Sequence, residues 1–278
     1  MRSSLRRLVR GPRDAVTRPD PARLDDGAWE RLAPDLLAHG PGVTGATGGS
    51  GTRVVARIMR RGGMFTGADL NVSEDALDFA AFADRWVDRY WGRGRTPDMA
   101  AELRALAARQ FADAAGAPWG WKEPRALYLL PFLDEQLPSI RFLHVIRDGR
   151  DMAYSSNQVQ LRKHGDVILP PGDDPEPLRS IDLWSRANTG AADYGETRLG
   201  GRYLRLRFED LCADPADGVA AVLRFFGLSG DAEEIAADEV RRPATLGRWR
   251  RADPALTGAL EDRAGDALRR FGYQSPSE

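Results

Sequence analysis

The sequence predicts an α/β fold in three layers, in which helices flank a central parallel sheet. The main observation is that short apolar segments alternate with longer segments of helical periodicity along most of the chain. A second is that a Gly-rich turn joins one of the apolar segments to an amphipathic helix. Successive strand–helix–strand units make right-handed crossovers, and they form a parallel sheet covered on both faces. Ligands of such sheets bind at the carboxyl ends of the strands, so we expect the functional residues there.

The predicted elements follow the chain in order. Five short segments are predicted as strands, at residues 42–46, 62–70, 119–123, 140–146 and 202–208. The predicted helices cover residues 25–40, 53–61, 74–116 (two helices), 125–136, 148–160, 178–197 and 215–270. Within 74–116, aromatic residues recur at intervals of three and four, and for Trp86 this pattern favours a place in the core over a binding role.

The composition limits the classes of protein to which the chain can belong. Its 40 Lys and Arg are balanced by 41 Asp and Glu, which argues against a nucleic-acid partner. The single Cys excludes a disulfide scaffold and a Cys-based zinc site. No run approaches the ~20 consecutive apolar residues of a membrane helix. We therefore expect a soluble, cytoplasmic protein without integral membrane contact.

The 278 residues contain no repeat and no low-complexity linker, which favours one large domain. We predict an N-terminal extension with a helix at residues 1–40 and a single α/β domain at residues 41–278. The Arg-rich start lacks the apolar stretch of a secretory signal, and we expect a frayed terminus there. The oligomeric state is left open.

A Gly-rich turn lies between a predicted strand and a predicted helix, in residues 43–53, Val-Thr-Gly-Ala-Thr-Gly-Gly-Ser-Gly-Thr-Arg. Exposed backbone N–H groups and the helix dipole make such a turn a binding site for phosphate or a similar anion. A tight turn that needs positive φ has the same composition, so the turn alone leaves both interpretations open.

One alternative for this turn is a dinucleotide site. The spacing Gly45-x-x-Gly48-x-x-Gly51 is that of short-chain dehydrogenases, and Asp69 lies about where a ribose-binding acid would be. Those enzymes also need Tyr-x-x-x-Lys, and neither Lys of this chain follows a Tyr at that distance. A nucleoside triphosphatase is disfavoured as well, because no Lys follows Gly51. A phosphosulfate loop needs only the Ser-Gly-Thr that opens the helix at residues 50–52.

The most specific stretch is His144-Val-Ile-Arg-Asp-Gly-Arg-Asp-Met-Ala-Tyr-Ser-Ser156. A strand carries Arg147 to its carboxyl end, and Ser155 follows eight residues later, in the first turns of the next predicted helix. A guanidinium fork and a hydroxyl in this arrangement suit a terminal phosphate, which they bind with charge-assisted hydrogen bonds. His144 itself is expected to be a core residue of the strand.

Five blocks, in this order along the chain, resemble the sulfotransferases that use 3′-phosphoadenosine 5′-phosphosulfate (PAPS). They are Ser50-Gly51-Thr52, the segment Trp121-Lys-Glu-Pro-Arg125, the pair Arg147 and Ser155, the segment 206–228 with its Phe-Glu-Asp-Leu, Asp-Pro and Phe-Phe-Gly-Leu, and the segment Gly247-Arg-Trp-Arg250. The resemblance covers roughly residues 42–250. It implies a P-loop NTPase-like version of the predicted fold, PAPS as donor, 3′,5′-adenosine bisphosphate (PAP) as product, and no metal.

The resemblance also implies which residues bind the nucleotide. They are Gly48, Gly49, Ser50, Gly51, Thr52, Arg53, Arg147, Ser155, Phe208, Gly247, Arg248 and Trp249. The chain departs from the family pattern at two of these positions. Gly49 stands where the family usually has Lys or Arg, and Arg53 is the candidate to supply that charge. Phe208 stands where the family has a Tyr beside the adenine.

Sulfuryl transfer needs a cation at the bridging oxygen of the donor and a base for the acceptor. Lys122 is our candidate for the cation, because the chain has 38 Arg and only one other Lys, at position 163. Asp69 is the first choice for the base, since it lies 19 residues after Ser50, close to where a related branch of the family has its catalytic carboxylate. Glu123 is the second choice.

We therefore expect an enzyme that moves a sulfuryl group from PAPS to a hydroxyl, or as a second choice an amine, of a small-molecule, carbohydrate or lipid acceptor. Residues 158–185 fall where family members vary, and we expect them to set acceptor specificity. Two alternatives stay open: a short-chain-dehydrogenase-like NAD(P) oxidoreductase, and a nucleotide-binding protein of the same fold without turnover, the latter because of Gly49.

Overall fold

A sheet of four parallel strands forms the centre of the computed structural model, which describes residues 26–273. The strands are Gly42–Ala46 (β1), Gly120–Lys122 (β2), Arg141–Ile146 (β3) and Tyr203–Arg207 (β4). Their spatial order is β2-β1-β3-β4, so β1 and β3 are the central strands. The parallel sheet and the helices around it confirm the predicted fold class, and they place all four carboxyl ends along one edge.

Helices connect the strands and follow the last of them. They are Asp26–Ala38 (α1), Thr52–Arg61 (α2), Leu77–Arg93 (α3), Pro97–Asp113 (α4), Leu130–Gln136 (α5), Gly149–Ala153 (α6), Val159–Ile168 (α7), Glu176–Tyr194 (α8), Phe208–Ala213 (α9), Pro215–Phe226 (α10), Ala232–Glu239 (α11) and Pro254–Arg270 (α12). A 3₁₀ helix, Pro124–Leu129, precedes α5. In the part of the chain that the structure describes, no helix is long and apolar enough to cross a membrane.

The alternating side chains of the strands pack into cores on opposite faces of the sheet. Phe142 belongs to a core formed largely by α3, α4, α5 and α8, whereas Leu143 packs with α2, α10 and α11. Both side chains are fully buried. His144 is buried too, and its two ring nitrogens are hydrogen-bonded to Tyr203 and Asn188, which makes it a core residue as expected. Helices on both faces thus hold the strand ends in fixed positions.

The predicted strand at residues 62–70 is not a strand in the structure. Only Phe65 pairs with the edge of the sheet, through an isolated parallel bridge to Trp119. Gly63 and Gly67 have φ values of 92° and 128°, which the extended conformation of a strand does not allow. The segment therefore turns away from the sheet soon after it has reached it.

The predicted helix at residues 148–160 is divided into α6 and α7 by a turn. Gln158 holds this turn, since its side-chain amide donates hydrogen bonds to the carbonyls of Met152 and Ser155, both at 2.9 Å. Ser155 therefore follows the end of α6 and does not lie within a helix.

The helix of the predicted N-terminal extension is present as α1. Leu36 of this helix is fully buried in the same core as Phe142, so α1 packs onto the α/β domain. The remainder of the predicted extension, residues 1–25, lies outside the described residues.

Candidate active site

A cavity of about 520 Å³ lies where the carboxyl ends of the four strands meet. The Gly-rich turn follows β1, Lys122 ends β2, Arg147 follows β3 and Phe208 follows β4, and all of these line the cavity. Its volume is within the range of about 300–1,000 Å³ that is typical of small-molecule sites. Two larger cavities, of about 990 and 870 Å³, are lined by none of the predicted site residues.

The structure brings nine of the predicted site residues together in this cavity. They are Gly48, Gly49, Gly51, Thr52, Arg53, Lys122, Glu123, Arg147 and Phe208. Those outside its lining are Ser50, Asp69, Ser155, Gly247, Arg248 and Trp249. Six cationic side chains but only two acidic ones, Asp75 and Glu123, line the cavity, so it is locally cationic although the chain as a whole is nearly neutral.

The Gly-rich turn and the start of α2 line the cavity. Gly49 and Gly51 have φ values of 90° and 89°, a conformation that glycine adopts without strain. Helix α2 begins at Thr52 with no side-chain cap and no acidic residue in its first turn. Ser50 is buried, and its hydroxyl donates to the carbonyl of Thr47 at 2.7 Å, so this side chain holds the turn together. The amides at the start of α2 are thus suited to an anion.

The Phe208 ring leaves room only for glycine at position 51. A Cβ atom on Gly51 would lie 2.3 Å from the Phe208 ring, so no other residue fits there without displacing that ring. The Phe208 ring therefore lies directly against the turn.

Gln160 of α7 was not predicted individually, although it lies within the segment 158–185 that was expected to set acceptor specificity. Its side-chain oxygen accepts hydrogen bonds from the Gly48 amide at 2.9 Å and from the Tyr128 hydroxyl at 2.8 Å. The Gly-rich turn is thus tied to α7, and Gln160 itself lines the cavity.

Lys122 is almost fully buried, with 1% of its surface exposed. Its ammonium donates to the Ser73 carbonyl at 2.6 Å and to the carboxylate of Asp75. Burial lowers the pKa of Lys122, and the charge of Asp75 opposes that change. Asp75 and Ser73 also line the cavity. Nothing in the sequence indicates that a residue 47 positions before Lys122 contacts it, because the contact arises from the path of the loop.

Glu123 is buried beside Lys122. One carboxylate oxygen, Oε1, accepts from Nε of Arg125 at 2.9 Å, while the buried Oε2 has no hydrogen-bond partner among residues 26–273. Burial raises the pKa of Glu123 to about 7, although the charge of Arg125 lowers it. A carboxyl group with such a pKa and a free oxygen has the properties of a general base at neutral pH.

Asp69, the first choice for the base, lies elsewhere. Its side chain is exposed and does not line the cavity, and its carbonyl accepts from the amide of Leu77 at 3.0 Å. The structure thus separates the two candidates, with Glu123 inside the cavity and Asp69 outside its lining.

Arg147 is 5% exposed and lines the same cavity as Lys122. Its Nη2 donates to Asp151 at 3.0 Å and to the Thr245 carbonyl at 2.6 Å. Its Nε is buried without a partner among the described residues. The guanidinium carbon lies 5.9 Å from the centre of the Phe208 ring. Arg147 is therefore held in place and keeps an N–H that could bind a ligand.

The segment 247–250 is attached to Arg147 through Asp151. The backbone amides of Gly247 and Trp249 donate to the Asp151 carboxylate at 2.7 and 3.2 Å. The Trp249 ring is buried, and the guanidinium of Arg150 lies 3.5 Å from its centre, so this side chain anchors the segment. These contacts explain why Trp249 and Gly247 are absent from the cavity lining.

Arg248 and Ser155 lie next to this segment. Arg248 donates to the Tyr154 carbonyl at 3.1 Å and to the Thr245 carbonyl at 3.2 Å, the carbonyl that Arg147 also uses. Burial and the nearby Arg147 cation lower the pKa of Arg248. Ser155 is half-buried, and its hydroxyl accepts from the amide of Asn157 at 3.2 Å. The guanidinium groups of Arg147 and Arg248 thus lie near each other and share one acceptor, the Thr245 carbonyl.

Within residues 26–273, no group of three or more His, Cys, Asp or Glu is arranged to hold a metal ion.

The chain is similar to known proteins in its sequence pattern and in its fold. A model of the sulfotransferase family matches residues 36–232 of the chain. A sulfotransferase from Mycobacterium avium has a similar fold, with a TM-score of 0.58 and 12% identity over 92% of this chain and 84% of its own. The sulfotransferase domain of the Synechococcus olefin synthase has a TM-score of 0.54 and 17% identity, over 85% of this chain and 96% of its own. A sulfotransferase from Mycobacterium tuberculosis has a TM-score of 0.53 and 16% identity, over 86% of this chain and 80% of its own. No significant match is found among curated proteins.

Proposed function

The chain belongs to the sulfotransferase family, and from this premise we propose that it transfers the sulfuryl group of PAPS to a hydroxyl group. The acceptor would be a small molecule, a carbohydrate or a lipid, with an amine as the second choice of nucleophile. Family membership sets aside the dehydrogenase alternative. The observation that carries the proposal is the cavity itself, in which the uncapped start of α2, Lys122 and Arg147 converge.

The residues present fit a nucleotide with two phosphate groups. The amides from Gly49 to Arg53 would hold the 5′-phosphosulfate, because the start of α2 offers N–H groups without a capping side chain. Arg147, with its unpartnered Nε, would bind the 3′-phosphate, and Arg248 and Ser155 beside it would complete that site. Gly247 and Trp249 would act indirectly, by fixing the segment that carries Arg248.

The resemblance implies a cation immediately before Ser50, where this chain has Gly49. Arg53 is the candidate to replace that cation. Arg53 lines the cavity, and its Nη2 donates to the hydroxyl of Ser73 at 3.2 Å. Its charge is therefore beside the Gly-rich turn although Gly49 itself carries none. We propose that Arg53 supplies the missing charge.

PAPS supplies the activated sulfuryl group, and the protein supplies the groups that surround it. An S–O bond forms to the acceptor oxygen while the S–O bond to the 5′-phosphate breaks, and the electron pair stays on the phosphate oxygen. Lys122 would donate a hydrogen bond to that oxygen as negative charge develops on it. Glu123 would accept the acceptor's proton at Oε2, for which its raised pKa suits it. Asp69 is less suited, since it lies outside the cavity lining.

Transfer of labelled sulfate from PAPS to a panel of sugars, lipids and phenols tests this proposal. We expect a labelled product and, in a thermal-shift experiment, stabilisation by PAP but not by NADPH or ATP. Stabilisation by NADPH alone would contradict the proposal. Stabilisation by PAP without any labelled product across the panel would favour the nucleotide-binding protein without turnover.

A further inference from the structure

The loop at residues 70–76 contacts Lys122 and is held together by hydrogen bonds between its own residues. Leu70 and Ala76 form an antiparallel bridge across its base. The side-chain oxygen of Asn71 accepts from the amides of Ser73 and Asp75, at 2.7 and 3.0 Å. The Asn71 amide group in turn donates to the Asp75 carboxylate at 2.8 Å. These internal bonds fix where Asp75 lies before any ligand is bound.

Three contacts join this loop to Lys122. The ammonium donates to the carbonyl of Ser73 and to the carboxylate of Asp75, and the amide of Ala76 donates to the backbone carbonyl of Lys122 at 3.1 Å. An ammonium group has three N–H donors, and the loop uses two of them. The third donor of Lys122 is left for a group in the cavity, which Lys122 lines.

The same loop is fixed to α2, the helix whose first turn faces the cavity. Glu74 accepts from Arg60 at 2.7 Å and from Arg57 at 3.5 Å on the outer side of that helix. On the inner side, the Ser73 hydroxyl accepts from Arg53. The loop therefore connects the start of α2, which carries Arg53, with the end of β2, which carries Lys122.

We propose that Asp75 is a positioning residue, which keeps Lys122 charged and aims its third N–H at the donor. The inference rests on the proposed function, and it assigns a role to a residue that the sequence did not single out. A carboxylate in a predominantly cationic cavity weakens the binding of an anion, so its presence needs a compensating benefit. That benefit is the fixed orientation of the buried Lys122 ammonium, which would face the phosphate oxygen on which negative charge develops during transfer.

Asp75→Asn tests the proposal, because it removes the charge of the side chain and preserves its size. We expect kcat to fall about 10- to 100-fold, as when a group that orients a catalytic residue is lost. The Kd of PAP should stay the same or decrease, since a negative charge has left the cavity. Asp75→Glu keeps the charge and should recover part of kcat. Glu74→Gln is the matched control: it removes a neighbouring carboxylate that faces Arg60 and does not contact Lys122, so kcat should fall far less than in Asp75→Asn.

A second measurement does not depend on activity. The chain has only two lysines, so protein labelled with ¹³C at lysine Cε gives two side-chain signals to follow in an NMR pH titration, and Lys163→Arg assigns them. Burial already lowers the pKa of Lys122, and Asp75 opposes this, so Asp75→Asn should lower that pKa further. The signal of Lys163 serves as the internal reference.

Two results would overturn the proposal. One is an unchanged Lys122 titration in Asp75→Asn. The other is loss of the acid limb of the kcat–pH profile in that variant, because this loss would make Asp75 the base. If the unmodified protein transferred no sulfuryl group, the proposed function would fail, while the NMR titration would still report whether Asp75 holds Lys122. Thermal unfolding of each variant shows whether it is folded.

Discussion

Arg147→Lys is the substitution that tests the proposed nucleotide site most directly. In the structure, Nη2 of Arg147 is committed to Asp151 and Thr245, while Nε is buried and has no partner in the described part of the chain. Lys keeps the positive charge beside the buried Asp151 carboxylate, so the variant avoids leaving that carboxylate unpaired. It loses the planar fork that can bind a phosphate through two N–H groups.

The expected loss follows from the number of hydrogen bonds. Arg147 can offer its Nε and the remaining side of the fork to the 3′-phosphate, and Lys would retain one of these bonds. A hydrogen bond to a charged group contributes about 1.5–3 kcal/mol. At 1.4 kcal/mol per factor of ten, the Kd of PAP should rise about 10- to 150-fold.

Isothermal titration calorimetry with PAP and with adenosine 5′-monophosphate separates this effect from a general loss of binding. The monophosphate lacks the 3′-phosphate, so its affinity should be the same for both proteins. Equal losses for the two ligands would show that Arg147 supports the fold of the cavity and does not bind the 3′-phosphate. An unchanged Kd for PAP would refute the site altogether.

Three further predictions concern the catalytic groups and the Gly-rich turn. Lys122→Met should lower kcat about 100- to 1,000-fold with little change in the Kd of PAP, and full activity would contradict its role. In the unmodified protein kcat should increase as the pH rises through about 7, because burial raises the pKa of Glu123 and only its ionised form accepts a proton. Glu123→Gln should lower kcat and remove this limb, whereas a limb that persists in the variant would indicate another base. Gly51→Ala should destabilise folding by about 1–3 kcal/mol more than Gly63→Ala, since both have positive φ but only residue 51 contacts Phe208. Equal losses in urea unfolding would contradict that reasoning.

The sequence predicted those parts of the fold that depend on local pattern. The alternation of short segments with helical spacing located the four strands, and the central strand β3 is buried over all but its first residue, as a strand covered on both faces should be. The segment 62–70 has a similar composition, but Gly63 and Gly67 take positive φ values there and restrict it to one bridge at Phe65. Backbone angles of individual glycines depend on tertiary contacts, and the pattern of residue types does not encode them.

The same distinction holds for the site. Lys122, Arg147 and the Gly-rich turn were predictable, because each lies at a strand end and carries its chemistry in a recognisable local motif. Asp75 and Gln160 were not, since they reach the cavity through contacts across 47 and 112 residues of sequence. The roles of all of these residues stay predictions until the variants are measured.

The use of Lys at position 122, in a chain with 38 Arg, has a geometric reason. The ammonium is enclosed by the Ser73 carbonyl and the Asp75 carboxylate, with almost no exposed surface. A compact tripod of N–H donors can satisfy both and still direct one donor elsewhere, whereas a planar guanidinium is larger and directs its donors in one plane. The opposite argument applies at Arg147, where a planar fork that already contacts Asp151 would also suit the proposed phosphate. We therefore expect the near-neutral chain to bind an anion through two different cations at two strand ends, each held by its own carboxylate.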